Sequence, residues 1–421
     1  MQDIMDRLTD RLLPLASKLA ENKYLTILRD AFMLALPFTM FGSIVTVIIN
    51  LPFFPAETKA LFSTLLGNGV SGTMSIMTLF VTFGIGYYLA KNEQVEAVFG
   101  GAISLASFLI LQPFLTTAPS GEAVEGVLSV SNLGAEGMFV GLISAFLSAK
   151  IYCWVTNQGW QIHMPESVPE GVAKSFASLI PVFVTLAIFV IINAIFTTGL
   201  HVTVNEFIYH TIQQPLTGLG SSLPATLIAI FFIQIFWFFG LHGQTIINSV
   251  MDGIWMPLML ENLAAYQANK ALPHVISKAF METFTVGLGG TGMTLIVVIL
   301  MAFVMKSKQM REIGRIAVGP GIFNVNEPVI FGLPIVLNPI AAIPWIVTPI
   351  IVTTFNYVVM TLGIFPLPTG VQVPWTVPVI ISGFLATNSW LGGLLQLIDM
   401  AIVAVIWYPF LKVMVRLKKK Q

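Results

Sequence analysis

Runs of about twenty apolar residues recur along the 421-residue chain, separated by short polar connections. A spanning helix needs roughly 20 such residues to cross a bilayer core about 30 Å thick. Nine segments fit: 28–52, 72–90, 94–116, 135–155, 178–200, 223–241, 285–305, 339–362 and 391–412. Ahead of them, residues 1–27 follow another pattern. Leu8, Leu12, Leu15 and Leu19 recur at helical spacing against Arg7, Arg11 and Lys18, which predicts an amphipathic helix lying at the membrane surface. This stretch carries too much charge to be the core of a cleavable signal peptide.

Lysine and arginine concentrate on cytoplasmic connections, so their positions test the count of crossings. The N-terminal segment, the Lys91 turn, the Lys150–Lys174 connection, the loop KSKQMREIGR (306–315) and the tail RLKKKQ are expected inside. The 112–132 and 197–222 connections hold no Lys or Arg and are expected outside. Six crossings from an inside N-terminus return the chain to the cytoplasm near Leu241, yet the segment 285–305 must start outside. The weakly hydrophobic QTIINSVMDGIWMPLMLE (244–261), which carries Asp252, then supplies the missing passage. The expected architecture is an all-α polytopic membrane protein of about ten transmembrane helices, both termini cytoplasmic.

Two apolar stretches remain, NEPVIFGLPIVLNP (326–339) and WTVPVIISGFLATNSW (375–390), each too short or too broken by Pro and Gly to span. Non-helical backbone survives at membrane depth only inside protein or along a wet cavity. Both therefore predict re-entrant hairpins, the elements that build transporter sites near the midplane. The polar residues, the hairpins and the weak seventh crossing all fall after residue 223. This asymmetry predicts a scaffold half over 28–200 and a transport half over 220–421.

Composition narrows the chemistry. Hydrophobic residues make up 56% of the chain and charged ones 10%, against about a quarter charged in soluble domains. Twenty Lys+Arg balance twenty Asp+Glu, and no basic patch interleaved with aromatics suggests a nucleic-acid partner. The single cysteine, Cys153, excludes a disulfide framework and a cysteine metal site, and no P-loop or other nucleotide motif occurs. No cofactor or metal is expected.

Two motifs carry the candidate chemistry. In FFIQIFWFFGLHGQTIIN (231–248), Gly240 and Gly243 flank His242 at a helix end, where the freed backbone lets the imidazole face a cavity. Trp237 lies five residues before it, and Gln244 and Asn248 follow. In GPGIFNVNEPVIFGLPIVLNP (319–339), Asn324, Asn326 and Glu327 sit beside prolines in apolar surroundings, where a carboxylate is costly and reads as functional. Amide, carboxylate and imidazole groups beside tryptophans suit a neutral polyol: amides and carboxylates hydrogen-bond adjacent hydroxyls, and an indole covers the apolar face of a pyranose. Trp375 is a candidate for that stacking, with an interfacial belt position as its ordinary alternative.

FNVNEPVIFGLPIVLNP, WFFGLHGQTIINSVMDGIW and IHMPESVPEGVAKSFASLIP (162–181) together resemble the membrane permease, or IIC, subunit of the bacterial phosphoenolpyruvate-dependent sugar phosphotransferase system, most closely its lactose/cellobiose/chitobiose branch. The resemblance runs along essentially the whole chain. It implies a homodimer of ten-helix subunits in the bacterial cytoplasmic membrane, with an N-terminal dimerisation half and a C-terminal half that carries a β-linked disaccharide. It also implies phosphorylation of the sugar's 6-hydroxyl by a phosphocysteine on a separate IIB subunit, itself supplied by IIA. Glu327 and His242 match the family's sugar-contacting carboxylate and histidine. Asn326, Trp237, Gln244, Trp375 and Asn132 of SNLGAEG are expected as further substrate contacts. The competing class is an ion-coupled secondary sugar transporter, for which Asp252, Glu282 and Asp399 are candidate coupling sites. A sugar sensor without flux is a third reading, unsupported by any soluble output domain.

Overall fold

A computed structural model describes residues 21–418 except 52–53, 118–121, 166, 286, 334 and 337. The expected amphipathic helix falls mostly on 1–20 and lies outside the described residues, as do Lys419, Lys420 and Gln421 of the basic tail. The described chain is mostly helix and forms two compact units, one of residues 22–42 with 68–218, the other including 43–67 with 219–418. Among the described residues, six helices are long and apolar enough to cross a membrane, and a seventh is reached if Val204–Gly220 and Leu223–Phe238, bent by 70°, form one span. Large apolar side chains point outward from them: Phe183 is 71% exposed and Val405 75%.

The N-terminal unit contains the first turns of α1 (Lys23–Ile49), the end of α2 (Ala56–Ser71), α3 (Met77–Asn92), α4 (Ala97–Ile110), α5 (Val130–Leu133), α6 (Met138–Asn157) and α7 (Glu170–Ala194). A small antiparallel hairpin, β1 (Leu115–Thr117) with β2 (Ala123–Glu125), follows α4, with Thr116 opposite Val124. Short helices α8 (Val204–Ile208) and α9 (Gln214–Gly220) close it. Helices in lipid gain little from burying apolar area against each other, so close approach through small residues holds them. A Cβ at Gly86 of α3 would overlap the Gly100 carbonyl and Ser104 of α4, and one at Gly141 of α6 would overlap Thr78 and Thr82 of α3. Short hydroxyl bonds then join the same helices: Ser148 donates to Ser104 at 3.0 Å, Ser104 to the Ala145 carbonyl at 3.3 Å, and Thr78 to the Gly134 carbonyl at 2.7 Å. Cys153 is a buried free thiol on α6.

The other unit holds α10 (Leu223–Phe238), α11 (Gly243–Gln267), α12 (Lys278–Phe284), α13 (Leu295–Ile299), α14 (Lys308–Ile322), α15 (Glu327–Gly332), α16 (Pro339–Thr361), α17 (Ile381–Thr387) and α18 (Trp390–Lys418). α10 packs on α16, and α16 on α18, around the fully buried rings of Trp255, Trp345 and Trp407. The expected single crossing over 285–305 is not there. Gly289, Gly290 and Gly292 have φ of +82°, +86° and +80°, so the chain runs as a loop and the helix begins only at Leu295. Glycine lacks the Cβ that forbids this region, and a helix cannot pass through it. Likewise 94–116 is helical only to Ile110. The weak 244–261 segment is a continuous helix, α11, though not among the six apolar enough to count by composition.

Buried polar side chains knit this unit. Lys278 of α12 donates to Asp252 of α11 at 2.6 Å and lies 3.2 Å from Glu282, with its side chain 5% exposed. Asn356 of α16 donates to Asp399 of α18 at 3.0 Å and to the Phe284 carbonyl at 2.9 Å. Gln396 of α18 accepts from the Ile380 and Gly383 amides at 2.6 and 2.9 Å and donates to the Thr283 carbonyl at 3.0 Å, tying the 375–390 segment to α12.

In the N-terminal unit, Glu93 follows α3 and receives Lys23 at 3.0 Å and Lys150 at 3.2 Å. These hydrogen bonds, Lys23 first, hold its carboxyl below the usual carboxylate range. A depressed carboxyl stabilises the fold above its unfolded pKa and loses that contribution as pH falls. Glu93→Gln is expected to lower thermal stability at pH 7 by roughly 0.5–1 kcal/mol. The gap between variant and wild type should close below about pH 4, the ordinary glutamate range. Thermal unfolding of the detergent-solubilised protein across pH measures this, and equal stability at pH 7 counts against the ion pairs.

Candidate functional site

The C-terminal end of α10 turns back on itself within four residues. Leu241 donates its amide to the Phe236 carbonyl at 2.9 Å, Gly240 takes φ +80°, and His242 becomes the N-cap of α11. Gly243 lies so close to the Ile233 carbonyl that any Cβ would overlap it, which keeps the turn this tight. The His242 Nδ1 caps the helix by accepting the Thr245 amide at 3.3 Å, with the Thr245 hydroxyl at 2.7 Å. A backbone amide only donates, so Nδ1 serves as the acceptor here, an arrangement that fits the tautomer with its hydrogen on Nε2. The Trp237 indole lies against this ring, centroids 4.5 Å apart at 49°.

Glu327 opens α15 directly before Pro328, which is pre-shaped for a first helical turn. Its side chain is exposed, and its charge acts on the His242 imidazole. The segment after α15 packs back against the His242 turn, where Val336 Cγ1 lies 3.6 Å from the position of a Cβ on Gly240. The structure therefore brings His242, Trp237 and Glu327 into one neighbourhood.

The loop 285–294 holds that neighbourhood together, and sequence patterning missed it. Asn324, in the left-handed region at φ +63°, accepts the Gly289 amide at 2.8 Å. Its amide nitrogen donates to the Trp375 and Val377 carbonyls at 2.6 and 2.9 Å. Asn326 donates to the Thr291 carbonyl at 2.5 Å and the Thr294 hydroxyl at 3.2 Å, and Thr291 donates to Gln244 at 3.0 Å. A Cβ on Gly290 would overlap the Asn326 amide, and one on Gly292 the ring of Trp345. Asn324 is thus a clasp between three loops. The Asn326 amide nitrogen is fully engaged, and only its Oδ1 remains for a ligand. The glycine cluster in GLGGTG was the available signal: so many glycines within six residues argue against a helix interior.

Trp375 is 57% exposed, its carbonyl held by Asn324 and its indole available for stacking. Asn132 belongs to the N-terminal unit, buried on the one-turn helix α5.

A family model described as phosphotransferase system, EIIC, matches residues 29–349. The chain belongs to this family. It is 55% identical over 418 residues to the PTS system oligo-beta-mannoside-specific EIIC component of Bacillus subtilis (strain 168), covering 98% of this chain and 95% of that one. It is 36% identical to the cellobiose-specific EIIC component of Geobacillus stearothermophilus over 97% of this chain and 94% of that one. Its fold matches the crystal structure of the transporter ChbC, the IIC component of the N,N'-diacetylchitobiose-specific phosphotransferase system. That match has a TM-score of 0.91 and 37% identity over 96% of each chain.

Within this EIIC chain, Asn324→Ala removes three hydrogen bonds and puts a β-carbon residue without a compensating side-chain bond into the left-handed region. Net hydrogen-bond and conformational terms of about 1 kcal/mol each predict a loss of roughly 2–4 kcal/mol. Thermal unfolding of the variant checks this; a loss under about 0.5 kcal/mol would mean the clasp is not what holds the loops together.

Proposed function

We propose that this EIIC chain is the permease that carries a β-linked disaccharide, of the cellobiose, chitobiose or mannobiose type, across the bacterial cytoplasmic membrane and presents it for phosphorylation. The observation that carries the proposal is the His242 imidazole, capping α11 through Nδ1, beside the Trp237 indole and within electrostatic reach of the exposed Glu327 carboxylate. The sugar's 6-hydroxyl donates to Glu327 and accepts from His242 Nε2–H, which orients it. Glu327 takes the proton as O6 attacks phosphorus. The O6–P bond forms, the S–P bond of a phosphocysteine on the IIB subunit breaks, and the thiolate leaves. IIA recharges IIB.

Asn326 through Oδ1, Gln244 near the same loop, and Trp375 by stacking complete the proposed sugar contacts within this unit. The family likeness supports a homodimer of ten-crossing subunits with both termini cytoplasmic. It also supports an N-terminal part that dimerises and a C-terminal part that moves the sugar. On this topology the basic residues Lys306, Lys308, Arg311 and Arg315 lie on the cytoplasmic side of the Glu327 segment, where they favour the approach of a phosphorylated partner.

Glu327→Gln keeps shape and an acceptor but removes the base. It is expected to abolish uptake that delivers phosphorylated sugar to membranes supplied with the soluble phosphotransferase proteins, while cellobiose binding weakens less than tenfold. Uptake of phosphorylated sugar at the wild-type rate, at equal expression, would sink the assignment. Sugar that accumulates unphosphorylated in wild type instead points to an ion-coupled carrier.

Cys153 is buried on α6 of the N-terminal unit. With the donor cysteine on a separate subunit, Cys153→Ser should take up and phosphorylate sugar like wild type in the same assay. A folded but inactive Cys153→Ser protein would contradict an external donor.

A further inference from the structure

Gln234 and Trp237 sit three residues apart on α10, one turn from each other on the helix that ends at His242. Gln234 is completely buried, and neither its Nε2 nor its Oε1 has a hydrogen-bond partner. The Nε1 of Trp237, 5% exposed, has none either. Buried polar atoms are nearly always paired, and each exception calls for a reason. Packing supplies none here. Leu or Met fills the volume of Gln without stranding a donor and an acceptor, and replacing an unpaired buried polar group by an apolar one of the same shape is neutral or stabilising.

The surroundings of these orphaned atoms lead back to the site. The Gln234 carbonyl receives the Trp345 indole N–H at 3.1 Å, and the Trp345 ring lies against Gly292. The next residue, Thr291, is bonded to Gln244, two positions beyond His242, whose ring lies 4.5 Å from that of Trp237. The unpaired groups thus belong to the last turns of α10, Trp237 packed against the His242 ring and Gln234 one turn before it. None of them is charged. A primary amide presents a donor and an acceptor side by side, which matches two neighbouring hydroxyls, and the indole adds one donor.

We propose that Gln234 is a sugar-binding residue, its amide pairing with two adjacent hydroxyls of the pyranose that reaches His242, while Trp237 Nε1 donates to a further oxygen of the same ligand. This rests on the sugar-permease reading above and adds a specificity determinant to it. The amide is shut away from solvent in this structure, so the pairing belongs to the sugar-loaded state of α10 and its neighbours.

Equilibrium binding of cellobiose and β-mannobiose to the full-length protein in detergent, with no phosphoryl donor present, tests this alongside the sugar-free thermal midpoint. Gln234→Leu and Gln234→Met are expected to keep or raise the midpoint while the Kd rises at least tenfold. Trp237→Phe, which keeps an aromatic face and loses only the N–H, should raise Kd several-fold. Wild type should lose affinity for the monodeoxy cellobioses that lack the gripped hydroxyls, and Gln234→Leu should no longer tell these from cellobiose. Two results overturn the proposal. One is Kd within twofold of wild type in Gln234→Leu, which makes the amide a buried-water or packing site. The other is loss of the midpoint and of binding together in both the Leu and Met variants, which makes it structural. If wild type binds neither disaccharide, the permease reading itself falls, a result distinct from both.

Discussion

Backbone that leaves the helix within an apolar layer must find partners for amides and carbonyls that no water can satisfy, and the C-terminal unit meets this demand largely through asparagine and glutamine side chains. Asn324 alone satisfies one amide and two carbonyls from two other loops, and it occupies a left-handed position that asparagine tolerates better than most residues. Asn326 and Gln396 do the same for the glycine loop and the 375–390 segment. Without these clasps the loops that carry Glu327, Thr291 and Trp375 have no fixed relation to one another. The chemistry of the site depends on that relation.

Charge is distributed by the same logic. Lys278 is used up between Asp252 and Glu282, which pins α12 to α11 and leaves that ammonium no part in binding ligand. Asp399 is enclosed with Asn356 rather than facing the His242 neighbourhood. Glu327, by contrast, is exposed at the first turn of a six-residue helix. Of these four carboxylates, Glu327 is presented and Asp252, Glu282 and Asp399 are tied into the frame. A neutral ligand with several hydroxyls suits such a site better than an ion does.

Much of this was legible from residue order. The apolar runs at 339–362 and 391–412 correspond to α16 and α18, and the W-x4-H spacing anticipated the contact between Trp237 and His242. The run 285–305 misled because its composition is apolar throughout. Three glycines with positive φ break it, and hydropathy does not register backbone conformation. Asn326 was read as a ligand group because its exposure to partners cannot be inferred from its neighbours in sequence; folded, its nitrogen is occupied by Thr291 and Thr294, both more than thirty residues away. Gln234 attracted no notice in sequence, since a glutamine in an apolar helix becomes unusual only when nothing is found beside it.

The sequence by itself determined that the chain is a polytopic helical membrane protein and that its helices are interrupted around the NEP segment and at the His242 turn. Those properties follow from local rules: apolar length against bilayer thickness, and glycine and proline against helix continuity. Only the tertiary structure decided which buried polar groups spend their hydrogen bonds on the frame and which are left unpaired. That partition depends on contacts between residues far apart in the chain, such as Asn324 with Trp375 and Lys278 with Asp252, and no local pattern encodes it.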